Sequence, residues 1–142
     1  MEIICMEKTE VNRNNLCFAC GPNNPIGLKM VFRFEDGKAK AEFIPGPYHQ
    51  SWDGVVHGGL LALCLDEAGG YAIYFQGIKA MTARMEMRLR KTVRPGEKIR
   101  LTGEIRKKSR KIIETYATVE REDGTLVAEG TATMFVVEEK AG

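Results

Sequence analysis

The sequence predicts an α+β domain in which a long central helix is wrapped by a curved, mostly antiparallel sheet of about six strands. Three observations carry that prediction. The run Leu60 to Phe75 is apolar or small at nearly every position and lacks Pro, which is the pattern of a helix inside a structure. Two stretches before it and four after it alternate apolar with polar residues, as half-buried strands do. Short turns rich in Gly, Asp and Pro join most of those stretches, which favours antiparallel neighbours over parallel crossovers.

Composition sets the outer limits. At 142 residues the chain is one domain with enough length for an ordinary core. Hydrophobic residues at 44% and charged residues at 28% are near the globular norm, so no unusual class is indicated. A formal net charge of +2 does not mark a nucleic-acid binder. No run reaches membrane-span length and the N-terminus lacks a signal-peptide pattern, so no membrane partner is expected and the cytoplasm is the default location.

Residues 1–15 are polar and aperiodic and read as an N-terminal arm, leaving 16–142 as the domain. Leu28 to Glu35 and Lys38 to Ile44 read as strands joined by a tight Asp36-Gly37 turn, and Pro45-Gly46-Pro47 ends the second. Tyr48 to Val56 is an irregular approach to the helix. Beyond Gln76-Gly77, the stretch Ala80 to Lys91 alternates Met81, Ala83, Met85, Met87 and Leu89 with polar residues, which places the methionines in the core. The turn Arg94-Pro95-Gly96-Glu97 leads into Lys98 to Arg106, the basic tip Lys107 to Lys111 into Ile112 to Arg121, and Glu122-Asp123-Gly124 into Thr125 to Val137.

Four cysteines, Cys5, Cys17, Cys20 and Cys64, do not form a spaced disulfide framework, so reduced thiols are expected. Cys17 and Cys20 make one CxxC, two of the four ligands of a structural zinc, and no second pair or His cluster completes it. Packing as small apolar side chains, without metal, is the expectation.

The chemistry concentrates in the central helix. Asp66 and Glu67 are its only charges, and a carboxylate in an apolar helix costs several kcal/mol unless it is paired or functional. One helical step turns a side chain by about 100°, so only one of the two faces a given site, and spacing favours Asp66. Glu67 is expected at solvent or at an interface. At the helix start, Gly58 and Gly59 leave backbone N–H groups open where the dipole favours negative charge, the requirement of an oxyanion hole. At about 1.5 Å per residue the glycine turn and the acid lie roughly 12 to 14 Å apart, too far to touch one reacting carbon. Two antiparallel copies about a two-fold axis would bring Gly58 of one chain beside Asp66 of the other.

With these residues in place, the chain resembles the hotdog-fold thioesterases of the phenylacetate-pathway (PaaI-like) and thioesterase-superfamily-member type. The carriers are CxxCG with NPxGL at Cys17 to Leu28, His57-Gly58-Gly59, Asp66, Thr82 and the Arg94-Pro95-Gly96 turn. The resemblance covers about residues 16 to 137. It implies hydrolysis of acyl-CoA or a related thioester to acid and thiol, with coenzyme A entering only as part of the substrate and no other cofactor or metal. It implies a homodimer as the minimum unit, with a homotetramer expected.

In catalysis, the Gly58 N–H would polarise the thioester carbonyl, Asp66 of the other chain would act as base or nucleophile, Thr82 would hold Asp66 or the water, and His57 would orient the turn or lie near the sulfur. Gly59, Gln50, Ser51 and Arg94 join the candidate substrate-binding set. Lys107, Lys108 and Arg110 offer point charges to the phosphates of coenzyme A. A rival from another class is a non-catalytic acyl-CoA or acyl-carrier binding module on the same fold.

Overall fold

The computed structural model describes residues 16–139, and the expected arm over 1–15 lies outside the described residues. In chain order the elements are β1 (Arg33–Glu35), β2 (Lys38–Phe43), a 3-10 turn (Pro47–His49), α1 (Gly58–Tyr74), β3 (Ile78–Leu89), β4 (Ile99–Lys108), β5 (Ile112–Arg121) and β6 (Leu126–Glu139). The six strands form one antiparallel sheet in the order β1-β2-β4-β5-β6-β3. Because β4, β5 and β6 lie between β2 and β3 in that order, the connection between them must cross all three. The helix is that connection, and the sheet curves around it.

Turn chemistry sets the register. Asp36 and Gly37 both have positive φ, +55° and +75°, as a two-residue hairpin of primed type requires, and they pair Glu35 with Lys38. At Arg94-Pro95-Gly96-Glu97 the Glu97 N–H donates to Arg94 O at 3.0 Å, while Gly96 (φ +91°) donates to Pro45 O at 2.7 Å. That turn is therefore docked on the Pro segment that ends β2.

The helix buries Leu61, Cys64, Leu65, Ala68, Tyr71 and Ala72, positions spaced three or four apart that make one face. Leu60, Leu63 and Tyr74 on its flanks are half-buried within the single chain. At the C-terminal half Tyr71 stacks on Phe32 with ring centroids 4.6 Å apart, and Phe75 lies 5.5 Å from Phe34, which fixes the segment before β2 against the helix. A second cluster of Ile73, Ile78, Ile113, Ala132 and Met134 packs the C-terminal end of the helix against β3, β5 and β6.

Two sequence expectations need correction. Of the expected strand Leu28 to Glu35 only Arg33–Glu35 pairs; the residues before it form no ladder with β2, although β2 continues to Phe43, and Lys29 adopts a left-handed φ of +54°. Their alternating burial, with Leu28, Met30 and Phe32 inside, comes from packing rather than from a ladder. Met81, expected in the core, is 63% exposed. The register of β3 on β6 shifts between Thr82 and Arg84, so Ala83 is an extra residue that reverses the in-out alternation, and only Met85 and Met87 pack against the core.

Helix and sheet approach most closely at Gly103 of β4. A Cβ there would stand 2.1 Å from the Ala68 carbonyl oxygen, and one at Gly69 would stand 2.7 Å from Thr115 Oγ1 on β5. At Gly103 the obstructing atoms are backbone, so the helix and strand themselves would have to separate; at Gly69 they belong to the short Thr115 side chain. Gly103→Ala is expected to destabilise the domain by about 3 kcal/mol, the upper part of the range for overpacked cores. Thermal denaturation checks this; an unchanged melting temperature would mean that the helix is not seated at this depth.

Candidate functional site

The start of α1 is built by His57. Its backbone is extended (φ −60°, ψ 131°), and its carbonyl accepts from the N–H groups of Leu60 and Leu61 at 3.0 and 3.3 Å. Its Nδ1 accepts from the Gly59 N–H at 2.8 Å. Three of the first-turn donors are thereby used. The Gly58 N–H has no acceptor among the described residues, and a side chain on Gly58 would meet only Leu89 Cδ2, at 3.5 Å. Gly59 was expected to offer an open N–H beside that of Gly58; the imidazole cap occupies it. The turn is braced from behind by His57 N–H to His49 O (2.9 Å) and Val56 N–H to Val93 O (2.8 Å).

Two turns along the helix, Asp66 meets the edge strand. The Thr82 hydroxyl donates to Asp66 Oδ1 at 2.5 Å. This is a charge-assisted hydrogen bond that fixes the carboxylate and leaves its second oxygen available. Thr82 is exposed and Asp66 half-buried, so the pair is accessible from the open edge of β3. The Gly58 N–H and Asp66 remain about 12 Å apart by helix rise, so one chain brings Asp66 and Thr82 together but leaves the amide apart from them.

Glu67 departs from its expected place. Rotated by one step, it faces the N-terminal loop, where the Cys17 thiol donates to Glu67 Oε2 at 3.9 Å. Cys17 and Cys20 pack with the core as expected, and the cluster they form with Glu67 could not be read from spacing, since fifty residues separate the acid from Cys17. The offset between two adjacent acids on one helix was the available signal that they serve different faces. Cys64, fully buried, has its thiol pushed up to about 12, by burial first and by the Glu67 charge second, and is unreactive at neutral pH.

The remaining predicted positions divide into two groups. Gln50 is committed to its own loop, its amide donating to Pro47 O at 2.7 Å and accepting from Gly54 N–H at 2.5 Å. Ser51 and Arg94 are exposed beside it, with backbone N–H bonds to Val55 O and to Glu97 Oε1. Lys107, Lys108 and Arg110 are exposed at the β4–β5 tip. Register places that tip: Lys108 pairs with Ile113, Ile113 with Met134, and Met134 with Thr82. Directly opposed residues share a face, so Lys108 and Thr82 lie on one rung of the helix side, three strand spacings or about 14 Å apart.

A family model described as the thioesterase superfamily matches residues 53–128, from the loop before α1 into β6. No curated protein matches the chain significantly. Among solved structures, a thioesterase superfamily protein, RHA08564, is similar at 27% identity and TM-score 0.79 over 86% of this chain and 60% of that one. A Streptococcus mutans protein bound to acetyl CoA is similar at 24% identity and TM-score 0.73 over 79% of this chain and 90% of that one. A hypothetical thioesterase from Streptococcus pneumoniae, solved with coenzyme A, is similar at 20% identity and TM-score 0.72 over 77% and 85% of the two chains. That pneumococcal protein has also been solved with alanine in place of an aspartate and of a threonine sixteen residues further on. With one helix wrapped by a six-stranded antiparallel sheet and the family match spanning more than half its length, the chain belongs to the thioesterase superfamily and has the hotdog fold.

Proposed function

We propose that this protein hydrolyses acyl-CoA thioesters in a site shared by two copies of the chain. The observation that carries the proposal is the Thr82–Asp66 hydrogen bond on the open side of the sheet, with a Gly58 N–H that has no acceptor among the described residues at the start of the same helix. The sixteen-residue spacing from Asp66 to Thr82 equals that of the substituted aspartate and threonine in the pneumococcal relative, which supports the choice of pair.

The chemistry follows from where charge develops. The thioester carbonyl accepts a hydrogen bond from the Gly58 N–H, whose donor strength the helix dipole raises as the oxygen becomes an oxyanion. Asp66 takes a proton from water as the water oxygen attacks the carbonyl carbon, or attacks that carbon itself; Thr82 keeps the carboxylate aimed in either case. On the water route, collapse of the tetrahedral intermediate breaks the C–S bond and the proton held by Asp66 passes to the sulfur, giving the acid and the thiol. On the direct route, collapse expels the thiolate and leaves an acyl–Asp66 anhydride, which water then hydrolyses to the acid, one proton of that water going to the thiolate. His57 serves by shaping the turn, since its Nδ1 is occupied by Gly59.

A second copy supplies what one chain lacks. The edge of β3 not bonded to β6 is open along twelve residues, with Met81 63% and Leu89 50% exposed, and an open edge of that length invites another strand. Antiparallel pairing of two β3 edges about a two-fold axis sets the two helices side by side and head to tail. It also covers Asp66 and Thr82 from water. The basic β4–β5 tip, on the rung of Thr82, is placed to meet the phosphates of coenzyme A.

Asp66→Asn is expected to lower kcat by at least about a hundredfold with little change in melting temperature, and Thr82→Val by about tenfold, measured by thiol release from a panel of acyl-CoA esters. Near-normal rates in Asp66→Asn would remove this residue from the chemistry, and binding of the esters without thiol release by the native chain would favour the binding-module reading.

Gly58→Pro tests the amide alone. Proline suits the first helical position, and the extended His57 backbone is the conformation that a residue before proline adopts. Loss of the single N–H is expected to cost about a hundredfold in kcat. Heterodimers of Asp66→Asn with Gly58→Pro should regain about half of the native sites, because one of the two sites then holds both intact partners; no recovery in verified heterodimers would rule out the shared site.

Replacing Lys107, Lys108 and Arg110 together by Ala should raise KM and weaken its dependence on salt with kcat little changed. An unchanged KM at low ionic strength would take the tip out of the substrate site.

A further inference from the structure

We infer that Cys17, Cys20 and Glu67 form a zinc site that fastens the N-terminal loop to the central helix. The two Sγ atoms and a Glu67 carboxylate oxygen all lie within 4.8 Å of one another. The Cys17 Sγ to Glu67 Oε2 distance is 3.9 Å. A tetrahedral zinc with Zn–S near 2.3 Å and Zn–O near 2.1 Å sets ligand separations of about 3.6 to 3.8 Å. Closing the cluster onto the ion therefore takes displacements of about 1 Å or less, which side-chain rotation of the half-buried Cys17 and Glu67 toward the buried Cys20 can supply.

The loop is already shaped for this. Gly21 N–H bonds to Cys17 O at 2.8 Å, Leu28 N–H to Phe18 O at 2.9 Å and Met30 N–H to Ala19 O at 2.9 Å, while Ala19, between the two cysteines in sequence, is buried in the core. The thiol-bearing turn is thus held in place by bonds that do not involve the thiols. Glu67 arrives from a separate element, so the site joins two parts of the chain fifty residues apart. Two thiolates with one carboxylate select zinc over magnesium or calcium, which require oxygen donors alone.

Binding is a proton-releasing step: two thiols lose their protons as two Zn–S bonds form, and the carboxylate adds the third bond, leaving a site of net charge −1. No electron transfer is involved. Because Glu67 is rotated by about 100° from Asp66, the zinc lies off the face that meets Thr82 and acts as a fastener beside the thioester site rather than as its reagent. The inference does not depend on the proposed activity.

The test uses the full chain, purified under reducing conditions, stripped with chelator and titrated with zinc against a chromophoric competitor. One zinc per chain is expected, with release of about two protons in weak buffer and a higher melting temperature in the bound form. Cobalt in place of zinc should give thiolate-to-metal charge-transfer absorption and the strong visible bands of a tetrahedral ion. Cys20→Ser and Glu67→Gln should each weaken zinc binding at least tenfold, with circular dichroism confirming that both variants fold. Less than stoichiometric zinc in the folded, reduced chain overturns the site; so does unchanged affinity in Glu67→Gln. Formation of a Cys17–Cys20 disulfide that persists in a glutathione buffer containing zinc would overturn it in favour of a redox pair.

Discussion

The close backbone contact between α1 and β4 is the constraint on which the rest depends. With no side chain at Gly103, the Ala68 carbonyl can come within a distance that any Cβ would forbid, and Gly69 similarly accommodates Thr115. This seats the helix deep against the sheet. The residues just before that contact, Asp66 and Glu67, are then presented at fixed height to what lies on either side: Thr82 on the edge strand and the Cys17 loop at the N-terminus. A helix held an ångström or two higher would break a 2.5 Å hydrogen bond on one side and open the thiol cluster on the other.

The same geometry explains why a carboxylate can sit in so apolar a helix. Burial without compensation would cost several kcal/mol, but Asp66 lies where the sheet runs out, partly exposed and held by a hydroxyl. Deep in the core, the helix carries Leu61, Cys64, Leu65 and Ala68 instead. Polar chemistry is thus confined to the flank that the sheet leaves uncovered.

The opposite face of the sheet has a different character. Glu129 on β6 accepts from Tyr116 on β5 at 2.8 Å and pairs with Arg90, which together hold its carboxyl below the usual range, and Arg106 stands over the Tyr116 ring at 4.2 Å. Lys38 reaches Glu104 at 3.2 Å across β2 and β4. Such partly exposed pairs contribute little to stability individually. They make that part of the outer face polar, whereas the rung Met81–Phe135–Ile112 carries exposed apolar side chains out to the β3 edge.

Much was legible in the sequence because it is locally encoded. The helix stands out by its apolar run, the hairpins by Asp36-Gly37 and Gly124, the turn between β3 and β4 by Arg94-Pro95-Gly96, and Asp66 by being a charge where charge is costly. Helix rise alone separated the glycine turn from the acid. Other features depend on residues distant in sequence and only the tertiary structure decided them. The Ala83 bulge that turns Met81 outward is set by pairing with β6, and the start of β1 by where the chain comes alongside β2. The His57 ring takes the Gly59 amide through a side-chain rotamer, which no spacing rule contains. Glu67 meets Cys17 because the chain before β1 folds back over the helix, a contact set by aromatic packing around Tyr71 rather than by any local motif. Periodicity reports which face of an element is apolar; what that face meets is settled by the packing of the whole chain.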